Sequence, residues 1–309
     1  MASGGVAKRN PVLETWQPIP GLSKLAQNRI LHVLGEIAAG NSIIEITDLG
    51  IGDLGVERIA EGLSKHAACA ELRLRGNDIG ASGASKLAAA LAKLSVRLSY
   101  IGLDNNPLGD DGMSCLAKPI GRFKKVQAIW LNSCAIGDQG VSEFARALGS
   151  EHTNLQWLGL DDNRIGDEGA TSLADAFKKM KALQWLGLDS NTVGDAGALS
   201  LCDAFQKHPG LQFIWLNRNR IGDAGAACLG ETLQNHKELH WLALDDNMFG
   251  TEGANKLGDT LGWSHRGIEW LALRNRIMDP SWKASARKRV DFKAVMAAQR
   301  ENRDKLLQP

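Results

Sequence analysis

The side chains best able to do chemistry in this sequence recur at fixed intervals. His66, His152, His208, His236 and His265 each stand six residues ahead of the central Leu or Ile of a short apolar run, Leu72, Leu158, Ile214, Leu242 and Leu271. A metal site is tempting for the consecutive His208, His236 and His265, but ligands carried on successive turns need not converge on one ion at about 2 Å. Favourable interaction with helix C-termini is the simpler reading. Asp161-Asp162 and Asp245-Asp246 imitate a paired-carboxylate site, yet adjacent strand residues point to opposite or diverging sides. Cys69, Cys115, Cys134, Cys202 and Cys228 are odd in number, scattered and without C-x-x-C spacing, which speaks against a disulfide framework and against zinc. The sequence contains no G-x-S-x-G, no H-E-x-x-H and no Walker motif. No catalytic residue, metal or cofactor is assigned, and the chain reads as a non-enzyme.

Two other columns suit recognition. Tyr100, Ala128, Trp157, Trp185, Phe213, Trp241 and Trp270 occupy one position of successive units, and six of these seven are aromatic. Where that column holds Ala128, the next outward column supplies Trp130, and Trp215 thickens the row beside Phe213; elsewhere the second column is mostly small, as at Gly102, Gly159, Gly187, Ala243 and Ala272. Beside the rings runs a polar column of Asp104, Asn132, Asp161, Asp189, Asn217 and Asp245. Arg73 and Arg75 at one end and Arg274 at the other reverse the sign. If the columns share a face, the rings form a nearly continuous ribbon larger than the apolar patch a monomer usually exposes. Two readings are open: a docking groove for a protein segment that is apolar and basic, or rings that simply stack on one another. They are compatible.

The element that must position these columns is a unit seen most clearly from Leu155 to Ala182. Leu155, Leu158, Leu160, Asn163 and Ile165 follow the spacing L-x-x-L-x-L-x-x-N-x-L. Gly166-Asp167 then opens a run with Ala170, Leu173, Ala174 and Phe177 at helical spacing. The unit fits the chain nine times, with its Asn column at Leu49, Asn77, Asn106, Cys134, Asn163, Asn191, Asn219, Asn247 and Arg276, a period of 28 or 29 residues throughout. Asn suits this turn because its amide can satisfy buried backbone groups; Leu49 and Arg276 mark edge units. Asp53, Asp110, Asp138, Asp167, Asp195 and Asp223 stand where a carboxylate can cap the helix and meet its dipole. Glycines from Gly55 to Gly253 recur two residues further on, so that adjacent turns can approach closely.

This pattern resembles the ribonuclease-inhibitor subtype of leucine-rich repeat, shared by NOD-like receptors, Ran GTPase-activating proteins and tropomodulins. The resemblance implies an α/β fold: a right-handed βα solenoid, or horseshoe, with a parallel sheet on its concave face and helices on its convex face. Residues 1–40 form an N-terminal arm and capping helix, with Trp16 as an anchor and Leu22, Leu25, Ile30, Leu34 and Ile37 as the helix's apolar stripe. The array covers 41–279. Residues 280–309 form a basic C-terminal capping helix carrying Arg287, Lys288, Arg289, Lys293, Arg300 and Arg303.

With 36 basic against 35 acidic residues there is no global field favouring nucleic acid or anionic membrane. No apolar run approaches the ~20 residues that span a bilayer, no N-x-S/T sequon occurs and no signal peptide is recognised. The expectation is a cytoplasmic protein, with the nucleus as the alternative: a protein–protein interaction scaffold or recognition module. Its partner-binding residues are Tyr100, Trp130, Trp157, Trp185, Phe213, Trp215, Trp241 and Trp270 with Asp104, Asp161, Asp189 and Asp245. The resemblance also implies a rival, a Ran-type GTPase activator, although those proteins carry a strongly acidic tail where residues 283–309 here are basic. A structural subunit of a larger assembly is a further alternative.

Overall fold

The computed structural model describes residues 16–64, 69–94, 98–149, 154–261 and 270–273. Each unit gives one three-residue strand, because only the x-L-x core of the motif alternates before the Asn turn bends the chain away. Among the described residues the strands are β1 (Ile43–Glu45), β2 (Glu71–Arg73), β3 (Tyr100–Gly102), β4 (Ala128–Trp130), β5 (Trp157–Gly159), β6 (Trp185–Gly187), β7 (Phe213–Trp215), β8 (Trp241–Ala243) and β9 (Trp270–Ala272). They form one parallel sheet in sequence order. Register follows the repeat without slippage, as in Trp157 opposite Trp185 and Leu158 opposite Leu186.

A helix precedes β1 and one lies between each pair of strands: α1 (Lys24–Ala38), α2 (Gly52–Leu63), α3 (Ala81–Leu91), α4 (Gly109–Ile120), α5 (Asp138–Leu148), α6 (Asp167–Phe177), α7 (Asp195–Phe205), α8 (Asp223–Leu233) and α9 (Thr251–Leu261). Consecutive helices pack on one another to form the convex layer of a right-handed βα solenoid, with the parallel sheet concave. In α6 the buried face is Gly169, Ala170, Leu173, Ala174, Ala176 and Phe177, and it shares one core with the inward Leu158 of β5 and Leu160 just after it, both fully buried. Every unit repeats this, so the core is a tube of leucine, isoleucine and alanine running between the layers.

The turns are held by an amide ladder. Asn163 Nδ2 donates to the Leu131, Leu160 and Asp161 carbonyls at 2.9, 3.0 and 3.1 Å, and its Oδ1 accepts the backbone N–H groups of Cys134 and Ile136. Cys134 keeps the pattern in weaker form, its Sγ donating to the Leu103 carbonyl at 3.2 Å. At Asn77 the ladder ends: the preceding turn is built on Leu49, and the buried Asn77 Oδ1 has no hydrogen-bond partner. Arg276 lies outside the described residues.

Three expectations change in detail. The aspartates after glycine do not cap their own helices, whose N-cap residues, Ile51, Leu108, Gly137, Gly166, Gly194 and Gly222, make no side-chain bond. Each reaches forward instead: Asp138 Oδ1 accepts Gly166 N–H at 2.6 Å and Gly169 N–H at 3.0 Å in the next unit. The same geometry recurs from Asp110 to Gly137 and Gly140 and from Asp167 to Gly194 and Gly197. Capping is thus inter-unit, and it joins turns as well as ending helices. Second, the stripe of α1 is Ala26, Ile30, Val33, Leu34 and Ile37, while Leu25 is 68% exposed. Ser23 Oγ accepts Ala26 N–H at 3.1 Å and starts the helix in a phase that turns Leu25 outward. Third, Arg73 does not offer free positive charge: it pairs with Glu71 at 2.6 Å and Glu45 at 3.8 Å, and its guanidinium lies 5.3 Å from the Tyr100 ring centre. Trp16 packs half-buried against the core; the arm before it, Arg274 and the basic segment lie outside the described residues.

Candidate functional site

Side chains on the strands alternate between core and open face. With Leu158 and Leu160 inside, Trp157, Gly159 and Asp161 project to the concave side, and so do their counterparts in the units from β2 to β8. The rings interlock diagonally rather than running down one column. Trp130 meets Trp185 with ring centres 4.9 Å apart, Trp185 meets Trp215 at 5.7 Å, and Trp215 meets Trp241 at 6.0 Å and 23° between planes. Small residues in the second column make this possible. A Cβ on Gly159 would stand 2.6 Å from Trp130 Cε3, and one on Gly187 would stand 2.5 Å from Trp185 Cη2, so the rings lie directly over those glycines.

Interlocking changes which rings face solvent. Tyr100, Trp185 and Trp241 are only 8%, 5% and 4% exposed, whereas Trp130, Trp157, Phe213 and Trp215 remain half-buried. Trp270 begins β9 in register with Trp241. The indole N–H groups of Trp130 and Trp185 are buried with no acceptor among the described residues. Phe213 rests against the His240 ring at 6.2 Å, a contact not signalled by the histidine spacing.

The polar column is a second ladder. Asp104 Oδ1 accepts Asn132 N–H, Asn132 Oδ1 accepts Asp161 N–H, Asp161 Oδ1 accepts Asp189 N–H, Asp189 Oδ1 accepts Asn217 N–H and Asn217 Oδ1 accepts Asp245 N–H, at 2.7 to 3.1 Å. One oxygen of each side chain is therefore committed to holding the next unit. Burial pushes the carboxyls of Asp104 and Asp189 above the usual carboxylate range. Burial, with Asp189 alongside, pushes Asp161 up to about 7. Asp161 is accordingly partly protonated near neutral pH. The Asp161-Asp162 pair does not converge: Asp162 sits in the left-handed region at φ 55°, and its carboxylate accepts Ser133 Oγ at 2.8 Å.

Two of the five column histidines can be placed. His236 Nε2 meets the Phe205 carbonyl, at the last residue of α7, at 2.9 Å. His208 is buried at the equivalent place, and burial lowers its pKa. Among the described residues no group of three or more His, Cys, Asp or Glu could hold a metal, and no helix is long and apolar enough to cross a membrane. His66, His152 and His265 lie outside the described residues.

The family model described as Leucine Rich repeat matches residues 71–88 and 151–174. The chain is 31% identical over 150 residues to human NACHT, LRR and PYD domains-containing protein 13, covering 46% of this chain and 14% of that protein. It is 30% identical over 138 residues to the ribonuclease inhibitor of Sus scrofa, covering 43% and 29%. It is 30% identical over 150 residues to the Ran GTPase-activating protein of Drosophila melanogaster, covering 41% and 25%. In all three the aligned part is less than a third of the relative's own length. Among solved structures, internalin C2 of Listeria monocytogenes superposes with a TM-score of 0.51 at 21% identity, over 75% of this chain and 88% of that one, a likeness of fold. The unbroken period, the strand–Asn turn–helix unit and these similarities agree on a leucine-rich repeat fold, and the chain is similar in sequence to repeat proteins of the ribonuclease-inhibitor-like type.

Proposed function

We propose that this chain is a non-enzymatic docking module of the cytoplasm whose concave face binds a protein segment that is apolar and basic. The observation that carries this reading is the interlocked ladder Trp130–Trp185–Trp215–Trp241 lying beside a carboxylate column on the open side of the sheet. Rings already fixed by their neighbours lose little freedom when a partner covers them, which favours tight association for a modest area. Indole and phenyl faces offer burial and cation–π attraction, and the outer carboxylate oxygens attract positive charge. The half-buried Trp130, Trp157, Phe213 and Trp215 present the contact area. Trp185 and Trp241 set the platform, Tyr100 extends it toward the N-terminal end, and Trp270 is included by its position in the strand register.

The Ran GTPase-activating relative supports a second reading, in which the docked partner is a GTPase whose hydrolysis is stimulated. There too the chain's contribution begins with binding a protein.

The test is capture of partners from native extract by the wild-type chain and by the Trp157→Ala/Phe213→Ala/Trp215→Ala variant, with melting temperatures measured alongside. A partner held by wild type and lost from a folded variant is the expected result. Equal capture by both proteins would move the binding surface to the convex helices.

A further inference from the structure

Charge is sorted between the two rims of the solenoid. Strands and helices alternate, so the strand-to-helix turns lie on one rim and the helix-to-strand connectors on the other. The turn rim carries aspartates with a few arginines, as at Asp78, Asp162, Arg164 and Asp246. The connector rim carries lysine. Lys93, Lys125, Lys179, Lys181, Lys207 and Lys237 are all exposed there, and Glu238 is the one acidic residue among the described residues of these connectors. With 36 basic against 35 acidic residues in the chain, this is sorting rather than excess.

A helix C-terminus attracts a cation, but only within about its last turn. Lys125, Lys181 and Lys237 stand well beyond Ile120, Phe177 and Leu233, where their helices end. Nearby carboxylates are already taken: Asp175 and Asp203 both hold Lys178, at 3.0 and 2.7 Å, and Lys207 also bears on Asp203. The connector arginine, Arg122, is engaged with the Ala92 carbonyl at 2.6 Å. Among the described residues, no acidic side chain forms an ion pair with Lys93, Lys125, Lys179, Lys181 or Lys237.

Cations repeated from unit to unit suit an anionic partner that is itself periodic. Successive units are about 4.8 Å apart at the sheet and about 8–10 Å apart at the helices. Connectors run between these layers, so their spacing is intermediate. Same-face side chains of an extended chain lie about 6.6 Å apart. An extended segment with an acidic residue at every second position can therefore keep pace with the rim. Nucleic acid suits the rim less, because no Phe, Tyr or Trp is exposed on the described connectors to stack a base. A membrane also suits it less: the exposed large apolar residues, Leu25, Ile43, Leu54, Leu199 and Met248, all lie off this rim.

We propose that the connector rim leading into β6, β7 and β8, with Lys179, Lys181, Lys207 and Lys237, binds an extended acidic segment of a protein partner. Lys125 and Lys93 continue the row toward the N-terminal end. The rim lies apart from the concave face and takes the opposite charge, so the proposal does not depend on the docking reading above.

The test uses a blocked, dye-labelled peptide of four Glu-Ser repeats and its Gln-Ser twin, titrated with the full chain at about 50 and about 200 mM salt and followed by fluorescence anisotropy. The rim variant is Lys179→Gln/Lys181→Gln/Lys207→Gln/Lys237→Gln. The control, Arg58→Gln/Lys86→Gln/Arg146→Gln/Arg164→Gln, removes the same charge from exposed positions elsewhere. Wild type is expected to favour the Glu peptide by about tenfold at the lower salt and by less at the higher, the control to keep most of that preference, and the rim variant to bind the two peptides alike. Equal loss in control and rim variant overturns the proposal, by assigning binding to net charge. A preference that persists in the rim variant, or none in wild type, overturns it as well. Oligothymidylate of the same charge, or phosphatidylserine vesicles, held more tightly than the Glu peptide by wild type and released by the rim variant also overturns it, by assigning the rim to phosphate groups.

Discussion

Asn163 and Asp161 stand two residues apart and use similar side chains to opposite ends. The Asn163 amide spends every polar group inside the turn, on three carbonyls and two N–H groups. Asp161 spends one oxygen on the next unit and keeps the other at the open face. Its raised pKa has a consequence for stability with a definite sign. Between the ordinary carboxylate range and about 7 the folded chain holds a proton on Asp161 that the unfolded chain has released, so stability falls as pH rises through that window and levels off above it. Asp161→Asn removes this dependence. The variant should therefore match wild type near pH 4 and melt higher at pH 8, by about 2–4 °C for each kcal/mol recovered, as thermal unfolding at the two pH values would show. A variant that melts lower than wild type at pH 8 would mean that the ionised carboxylate is stabilising where it stands. That these residues form columns was legible in the sequence. Their protonation was not, because it depends first on how far packing buries each carboxyl, which spacing does not display.

At the scale of the element, the strand–turn–helix unit is closed by its neighbour. The glycine column was readable as a sign of close approach, but the group that approaches was not: it is the carboxylate of the preceding unit's aspartate. A Cβ on Gly169 would stand 2.5 Å from Asp138 Oδ1, 2.7 Å from Val141 Cγ1 and 2.9 Å from Ile165 Cγ2. Gly169→Ala should therefore destabilise by about 2–3 kcal/mol in urea unfolding. Gly35→Ala in α1, where a Cβ meets nothing within 4 Å, should be neutral or stabilising by up to about 1 kcal/mol. Equal effects at both sites would show that the inter-unit cap does not control packing. The same limit explains Leu25. A helical stripe can be drawn through it, and only the Ser23 cap fixes the phase that sends it outward.

For the whole molecule, the fold was legible because its evidence is repeated: a period of 28 or 29 residues fixes strand order, register and the faces of every side chain together. The candidate site was legible only as a set of positions. Sequence columns suggested a ribbon of stacked aromatic neighbours, whereas the rings cross between columns over Gly159 and Gly187, and this decides which are platform and which are contact. The chain has nine tryptophans, each with its own indole N–H signal. The most direct measurement of concave docking is therefore a ¹⁵N spectrum of the chain titrated with its captured partner. Docking on this face predicts shifts of the Trp130, Trp157, Trp185, Trp215 and Trp241 indole signals while Trp16, at the N-terminal end, stays fixed. Shifts confined to backbone amides of the convex helices, such as Ser142, Thr171 and Ser200, with every indole signal unmoved, would contradict it.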